Sequence, residues 1–215
     1  MLLIFDWDGT LSDSADKIIR CLQRAGETSG FDVCSAESIR DIIGLGLPEA
    51  VSRLYPEVDP GGHEKIRQHY VEHFLAVDQN PSPFFDGVME GLHRLRDKNF
   101  LLAVATGKSR RGLDRVLSNL NLNDFFHGSR CADETLSKPH PLMLQELLAE
   151  FSRDADEALM IGDTEYDMDM AQQINMPRVA VSYGAHHIDR LHQYKPLLSI
   201  DYFSEFVEWT LRKYS

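Results

Sequence analysis

The chain reads as an α/β protein, a doubly wound and mostly parallel sheet with a helical unit inserted after the first strand. Three observations predict this. Five short apolar segments recur along the 215 residues, and several end in glycine plus polar residues. Amphipathic stretches of helical length separate most of them, the alternation that builds a parallel sheet with helices on both faces. Residues 14 to about 80 break the alternation, with several helical stretches and no convincing strand between them.

The first segment, Leu2-Leu3-Ile4-Phe5, is an unbroken apolar run suited to a strand buried on both faces. The insert then offers ADKIIRCLQRAGETSG, which ends at a glycine, and SAESIRDIIG, with a serine N-cap and Glu37 soon after. A third stretch, GGHEKIRQHYVEHFLAV, is long and amphipathic. Between helices, GLGLPEA (44–50) is either a plain turn or a loop that faces the site and selects substrates. NPSPFFDG, with two prolines and a glycine, returns the chain to the core. The expected division is a core of 1–13 and 85–215 and a helical cap of 14–84, with connections near 12–15 and 80–86 that let the cap move as a lid.

FLLAVATG (100–107), FFHGSRCA (125–132), ALMIGDT (158–164) and RVAVSYG (178–184) supply the remaining expected strands. VMEGLHRLRDKN, RGLDRVLSNLN, PLMLQELLAEF and FSEFVEWTLRKY supply the helices between and after them. In the last, Phe203, Phe206, Val207, Thr210 and Leu211 fall on one face, so this helix is expected to pack on the sheet.

With 22 Lys+Arg against 34 Asp+Glu, the net charge of −12 disfavours nucleic acid and anionic membranes as partners. No apolar stretch is long enough to span a bilayer, and MLLIF is too short for a signal peptide, so a soluble cytoplasmic protein is expected. Cys21, Cys34 and Cys131 form no CxxC pair and read as reduced packing residues. In GKSRR, Lys108, Arg110 and Arg111 concentrate positive charge, which suits a small anionic substrate; for the two arginines a solvated helix start is the better reading. His69 and His73 have chelating spacing but no third ligand, and read as a solvated helix face; His186 and His187 read as surface or capping residues.

In a doubly wound sheet the ligand site lies beyond the carboxyl ends of the strands. Those ends gather Asp6 and Asp8, Thr106 and Gly107, and Asp163 with nearby Asp167, and Lys138 in LSKPHP joins them. Four carboxylates with one hydroxyl and one ammonium are too many acids to coexist without a divalent cation, and oxygen-rich ligation suits Mg²⁺. Each has a plainer reading: solvated strand-end acids for Asp6 and Asp8, a helix cap for Thr106, a surface ion pair for Lys138, a helix N-terminal acid for Asp167.

DWDGT, the ATG threonine, the SKP lysine and GDTEYD together resemble the four ordered motifs of the haloacid dehalogenase superfamily, and the insert resembles the helical cap of its phosphoglycolate phosphatase-like members. The resemblance covers essentially the whole chain. It implies Asp6 as a nucleophile that becomes an aspartyl phosphate, and Asp8 as the acid/base that serves the leaving oxygen and then the attacking water. It further implies Mg²⁺ held by the Asp6 carboxylate, the Asp8 carbonyl and Asp163, with Asp167 as ligand or orienting group. Thr106, Gly107 and Lys138 would meet the phosphoryl oxygens. The implied partner is a small phosphorylated metabolite, phosphoglycolate first, acted on by a monomer or homodimer.

Pyrophosphate, nucleotides and sugar phosphates remain alternative substrates. A mutase is weakened by Ile18, where related mutases carry histidine; a catalytically silent phosphate-binding protein is the non-enzyme alternative. Two positions depart from the pattern: Trp7, where a smaller aliphatic residue is common, and Gly107, where many phosphoglycolate phosphatases have asparagine.

Overall fold

The computed structural model describes residues 1–77 and 81–214. Asn80, the first residue of the NPSPFFDG connection, lies outside the described residues. In chain order the elements are β1 (Leu2–Phe5), α1 (Ala15–Ser29), α2 (Ala36–Arg40), α3 (Leu47–Leu54), α4 (Pro60–Val77), α5 (Val88–Asp97), β2 (Leu101–Thr106) and α6 (Arg110–Asn119). They continue through β3 (Gly128–Cys131), α7 (Leu142–Phe151), β4 (Ala158–Gly162), α8 (Glu165–Gln173), β5 (Arg178–Val181), α9 (Ile188–His192), β6 (Leu198–Ile200) and α10 (Phe203–Tyr214).

The six strands form one sheet in the order β3-β2-β1-β4-β5-β6, every pair parallel. β1 is central, and its side chains divide by the period of two. Leu3 and Phe5 point to one face with Leu102, Val104, Leu159 and Ile161 and meet Leu92 of α5 and Phe206 of α10. Leu2 and Ile4 point to the other with Ala103, Ala105 and Met160 and meet Leu144 of α7 and Met170 of α8. The expected packing of the C-terminal helix holds: Phe203, Phe206, Val207 and Thr210 are buried, while Leu211 is only partly so.

The structure adds β6, a three-residue edge strand whose middle residue is exposed, so no apolar run marks it. It also adds α8, which starts inside GDTEYD, and α3, which starts inside the expected GLGLPEA loop with a proline in its first turn. Helices α1 to α4 share a separate apolar cluster built on Ile19, Leu22, Ile39, Val51 and Ile66. The two chain connections lie side by side: Phe85 N–H donates to the Leu11 carbonyl (3.0 Å) and Asp13 N–H to that of Pro83 (2.8 Å). Among the described residues no helix is long and apolar enough to cross a membrane.

A polar seam joins the helical insert to the sheet unit. Asp41, just after α2, pairs with Arg190 (2.6 Å), and its carbonyl accepts from the Tyr166 hydroxyl (2.7 Å). His186 belongs to the same seam and is buried, not a surface residue; it turns out to be a cap. Its Nδ1 accepts from Glu165 N–H (3.2 Å), and its Nε2 lies 3.2 Å from the Asp41 carbonyl. Only the neutral imidazole serves both bonds, and burial, followed by the nearby Arg190 charge, holds its pKa below the ordinary value. With the folded-state pKa depressed, the stabilisation is present above about pH 6.5 and is lost as pH falls through the folded value. Thermal melts of the parent and His186→Gln are therefore expected to converge between about pH 8 and pH 5; a constant gap would disprove the coupling.

Candidate active site

β1 is the strand at which the chain order reverses, with β2 on one side and β4 on the other, so the crevice at its carboxyl end is where a ligand belongs. Asp6 follows β1 directly, its N–H bonded to the Ile161 carbonyl of β4 (2.9 Å). Asp163 follows β4 and Thr106 ends β2. The turn after Asp6 is tight: Gly9 N–H donates to the Ser12 carbonyl (2.9 Å), while the N–H groups of Leu11 and Ser12 converge on the Trp7 carbonyl. Gly9 has φ +89°, and a Cβ there would lie 2.1 Å from Asp163 Oδ2. Glycine is needed for both reasons.

Lys138 is the pivot. It sits in the turn before α7 and is 1 % exposed. Its Nζ donates to Asp6 Oδ1 at 2.6 Å and to Asp167 Oδ1 at 2.7 Å. Asp167 Oδ2 accepts from Thr164 N–H (3.1 Å) and the Thr164 hydroxyl (2.7 Å). Asp167 is thus also the N-terminal acid of α8, in a reciprocal capping box with Thr164, as its plainer sequence reading has it. Asp163 accepts the Thr10 hydroxyl on Oδ1 and Ala185 N–H on Oδ2, both at 2.7 Å.

Ligand oxygens of Asp6, Asp163 and Asp167 all lie within 4.8 Å of one another, the one group among the described residues that could hold a metal ion. Asp6 Oδ2 is buried without a hydrogen-bond partner. Burial raises the Asp6 carboxyl well above the usual carboxylate range, with the Asp167 and Asp163 charges adding to it and Lys138 opposing. Burial, then Asp167, pushes Asp163 up to about 7. Burial alone would lower the Lys138 ammonium, but Asp167 and Asp6 outweigh it and raise the group above its ordinary value. Three buried carboxylates around one ammonium leave an excess of negative charge and an unsatisfied oxygen, which fits a small divalent cation with oxygen ligands.

Asp8 stands apart from this group. Its Oδ1 accepts from the Ser14 hydroxyl (2.5 Å) and pairs with Lys108 (3.0 Å), both outside the predicted site residues. The sequence signal for Lys108 was its place directly after ATG at a strand end; Ser14 gave none, because only the turn brings it back to Asp8. Arg110 instead pairs with Glu134 and Asp114, and Ser109 caps α6. Thr106 caps no helix: it is buried, and its hydroxyl accepts Lys108 N–H (3.2 Å). His69 and His73 bond Ser29 and Thr28 across the α1–α4 contact.

The two departures have physical reasons. Trp7 points into the core against Phe84 and Phe126, at ring separations of 5.7 and 6.0 Å. At Gly107 a Cβ would lie 2.4 Å from the Leu45 carbonyl oxygen and 2.6 Å from that of Gly44. The loop before α3 comes down onto this glycine and is pinned there by Gly46 N–H to Ser137 Oγ (2.8 Å). Gly107→Ala is therefore expected to displace residues 44–46 and to cost about 1–3 kcal/mol. Hydrogen exchange at those residues, read beside a thermal melt, checks this; unchanged protection would refute the contact.

A parallel α/β sheet with buried acids gathered at the ends of its two central strands is the scaffold of an α/β-class hydrolase whose acid cluster could hold a metal ion. The chain belongs to the haloacid dehalogenase-like hydrolase family, which it matches over residues 3–181. It is 33% identical to a probable phosphatase, IndB, of Dickeya dadantii over 96% of this chain and 91% of that one. It is 28% identical to a phosphoglycolate phosphatase of Colwellia psychrerythraea, over 96% of this chain and 95% of that one. Among solved structures, a hydrolase from Pseudomonas syringae superposes with TM-score 0.89 at 21% identity, covering 100% and 99% of the two chains. A predicted phosphatase from Clostridium acetobutylicum superposes with TM-score 0.87 at 25% identity, covering 98% of each.

Proposed function

We propose that the protein is a Mg²⁺-dependent phosphomonoester hydrolase for a small phosphorylated metabolite, acting through an aspartyl phosphate on Asp6. The observation that carries this is the state of Asp6: a buried carboxylate with one oxygen fixed by Lys138 and the other without a partner. Asp6, Asp163 and the Asp8 carbonyl would hold Mg²⁺, whose charge offsets the acids and the phosphoryl oxygens. Asp167 orients Lys138, since its carboxylate already accepts three hydrogen bonds, one from Lys138 and two from Thr164, against two at Asp163.

In the first step an Asp6 oxygen bonds to phosphorus as the ester P–O bond breaks, and Asp8 gives its proton to the departing alcohol. In the second, water attacks the phosphorus of the aspartyl phosphate and yields a proton to Asp8. Phosphate leaves and the Asp6 carboxylate is restored. The Thr106 hydroxyl, the Gly107 backbone and the Lys138 ammonium stabilise the transferring phosphoryl group. Residues 14–84 act as a lid on the paired connections, which excludes bulk water from the intermediate.

The test is phosphate release from a panel of phosphomonoesters plus pyrophosphate, with Mg²⁺ and with EDTA. Phosphoglycolate is its first member, because relatives carry that substrate in their names. Metal-dependent release is expected. A folded, metal-binding protein that releases phosphate from nothing in the panel would overturn the reading in favour of a silent binding protein.

A further inference from the structure

We infer that the alcohol half of the substrate is apolar, so that the enzyme takes alkyl or aromatic phosphomonoesters in preference to a two-carbon acid such as phosphoglycolate. The inference rests on the phosphomonoesterase reading and narrows its substrate class. A cavity of about 220 Å³ opens from Asp6 and Asp8 toward the helical insert. Its far wall is apolar: Ile18 and Leu22 from α1, Leu45 and Leu47 at the start of α3, Tyr70 and Phe74 from α4. The volume is below the roughly 300–1,000 Å³ usual for larger ligands, so the occupant is a small molecule.

Beyond the catalytic acids, the charged side chains at the cavity are Lys108 and Arg115 against Glu49 and Asp133, so the signs are balanced. Lys108 is committed to Asp8 at 3.0 Å and also covers the Phe74 ring at 5.3 Å; Arg115 lies 6.0 Å from the same ring. A carboxylate carried by the substrate beside its phosphate would meet an apolar wall, with two acids among its four charged neighbours. Such a group is strongly disfavoured without a dedicated partner, whereas each buried methylene is favourable. The apolar surface continues outward along α4 through Val71 and Leu75, which are 45% and 38% exposed, so an apolar body also has a path in.

The sensitive experiment is a series of unbranched alkyl phosphates, from methyl to hexyl, measured with Mg²⁺ beside phosphoglycolate and glycerol phosphate. These alkyl esters share similar leaving groups, so a trend reports binding of the body. kcat/KM is expected to rise about fourfold per added methylene until the cavity is filled, and the longer esters are expected to exceed phosphoglycolate. Phe74→Ala, partly exposed and so free to fold, is expected to flatten that rise. A flat series, with phosphoglycolate preferred and lost in Arg115→Gln, would overturn the inference and leave the phosphatase standing. No hydrolysis of any ester would overturn both.

Discussion

Replacing Asp6 with asparagine is expected to lower phosphate release by at least about 10⁴-fold, the scale of removing a covalent nucleophile. The fold should survive. Asparagine keeps a carbonyl oxygen where Lys138 donates, and it removes one of three buried negative charges held within 4.8 Å. Because burial already disfavours the ionised Asp6, the variant's melting temperature in EDTA should match or exceed the parent's. Mg²⁺ should stabilise it less than the parent, since a ligand that binds only the folded state adds stability in proportion to its affinity. Intact-mass spectrometry of parent rapidly quenched with substrate should show the gain of one phosphoryl group, absent in Asp6→Asn. Full activity in this variant would remove Asp6 from the chemistry.

The sheet and the acid cluster were legible for one reason. Strands buried on both faces must be apolar throughout, so β1, β2, β4 and β5 announce themselves, and the first polar residues after them mark the crevice. Asp6, Thr106 and Asp163 follow that rule, and the structure brings them to neighbouring strand ends. Elements held by other means were faint or hidden. β3 is expected from FFHGSRCA, yet its own sequence GSRC is scarcely apolar, and it is a strand because β2 offers it an edge, from Ala103↔Gly128 to Thr106↔Cys131. β6 borrows its pairing from β5 in the same way. Helix α8 was hidden because its sequence is polar and its apolar pattern weak, yet Thr164 and Asp167 spell a capping box at its start. The sequence of the loop before α3 allows both a plain turn and a wall of the site. Its backbone contact with Gly107, a residue far away in the chain, is a tertiary fact that no local pattern encodes. The pairing of Lys108 with Asp8 depends likewise on a turn whose closure the sequence does not spell out.

Lys138→Met should be the most destabilising single change at the site. The side chain is wholly enclosed, and its ammonium is the shared partner of Asp6 and Asp167. Methionine fits the volume of the stem but leaves two carboxylates facing each other with Asp163 beside them. Breaking a buried ion pair from one side costs about 3–5 kcal/mol. For a chain of this length that corresponds to a fall in melting temperature of roughly 10 °C in EDTA. The sign with pH follows from the shift: the Lys138 ammonium is raised in the folded state, so its contribution is complete below the unfolded value and fades only as pH climbs through the folded one. The parent therefore keeps the full contribution throughout the neutral range, while the variant, whose acids lack a cation, should weaken as pH rises and they are driven to ionise. Mg²⁺ should recover more of the melting temperature in Lys138→Met than in the parent, because the metal then supplies the missing positive charge. Turnover should not recover with it: the ammonium's donation to the phosphoryl oxygens is a separate contribution, worth about 10²–10³ in rate. A variant that melts with the parent in EDTA would show that Lys138 is not what holds these acids together.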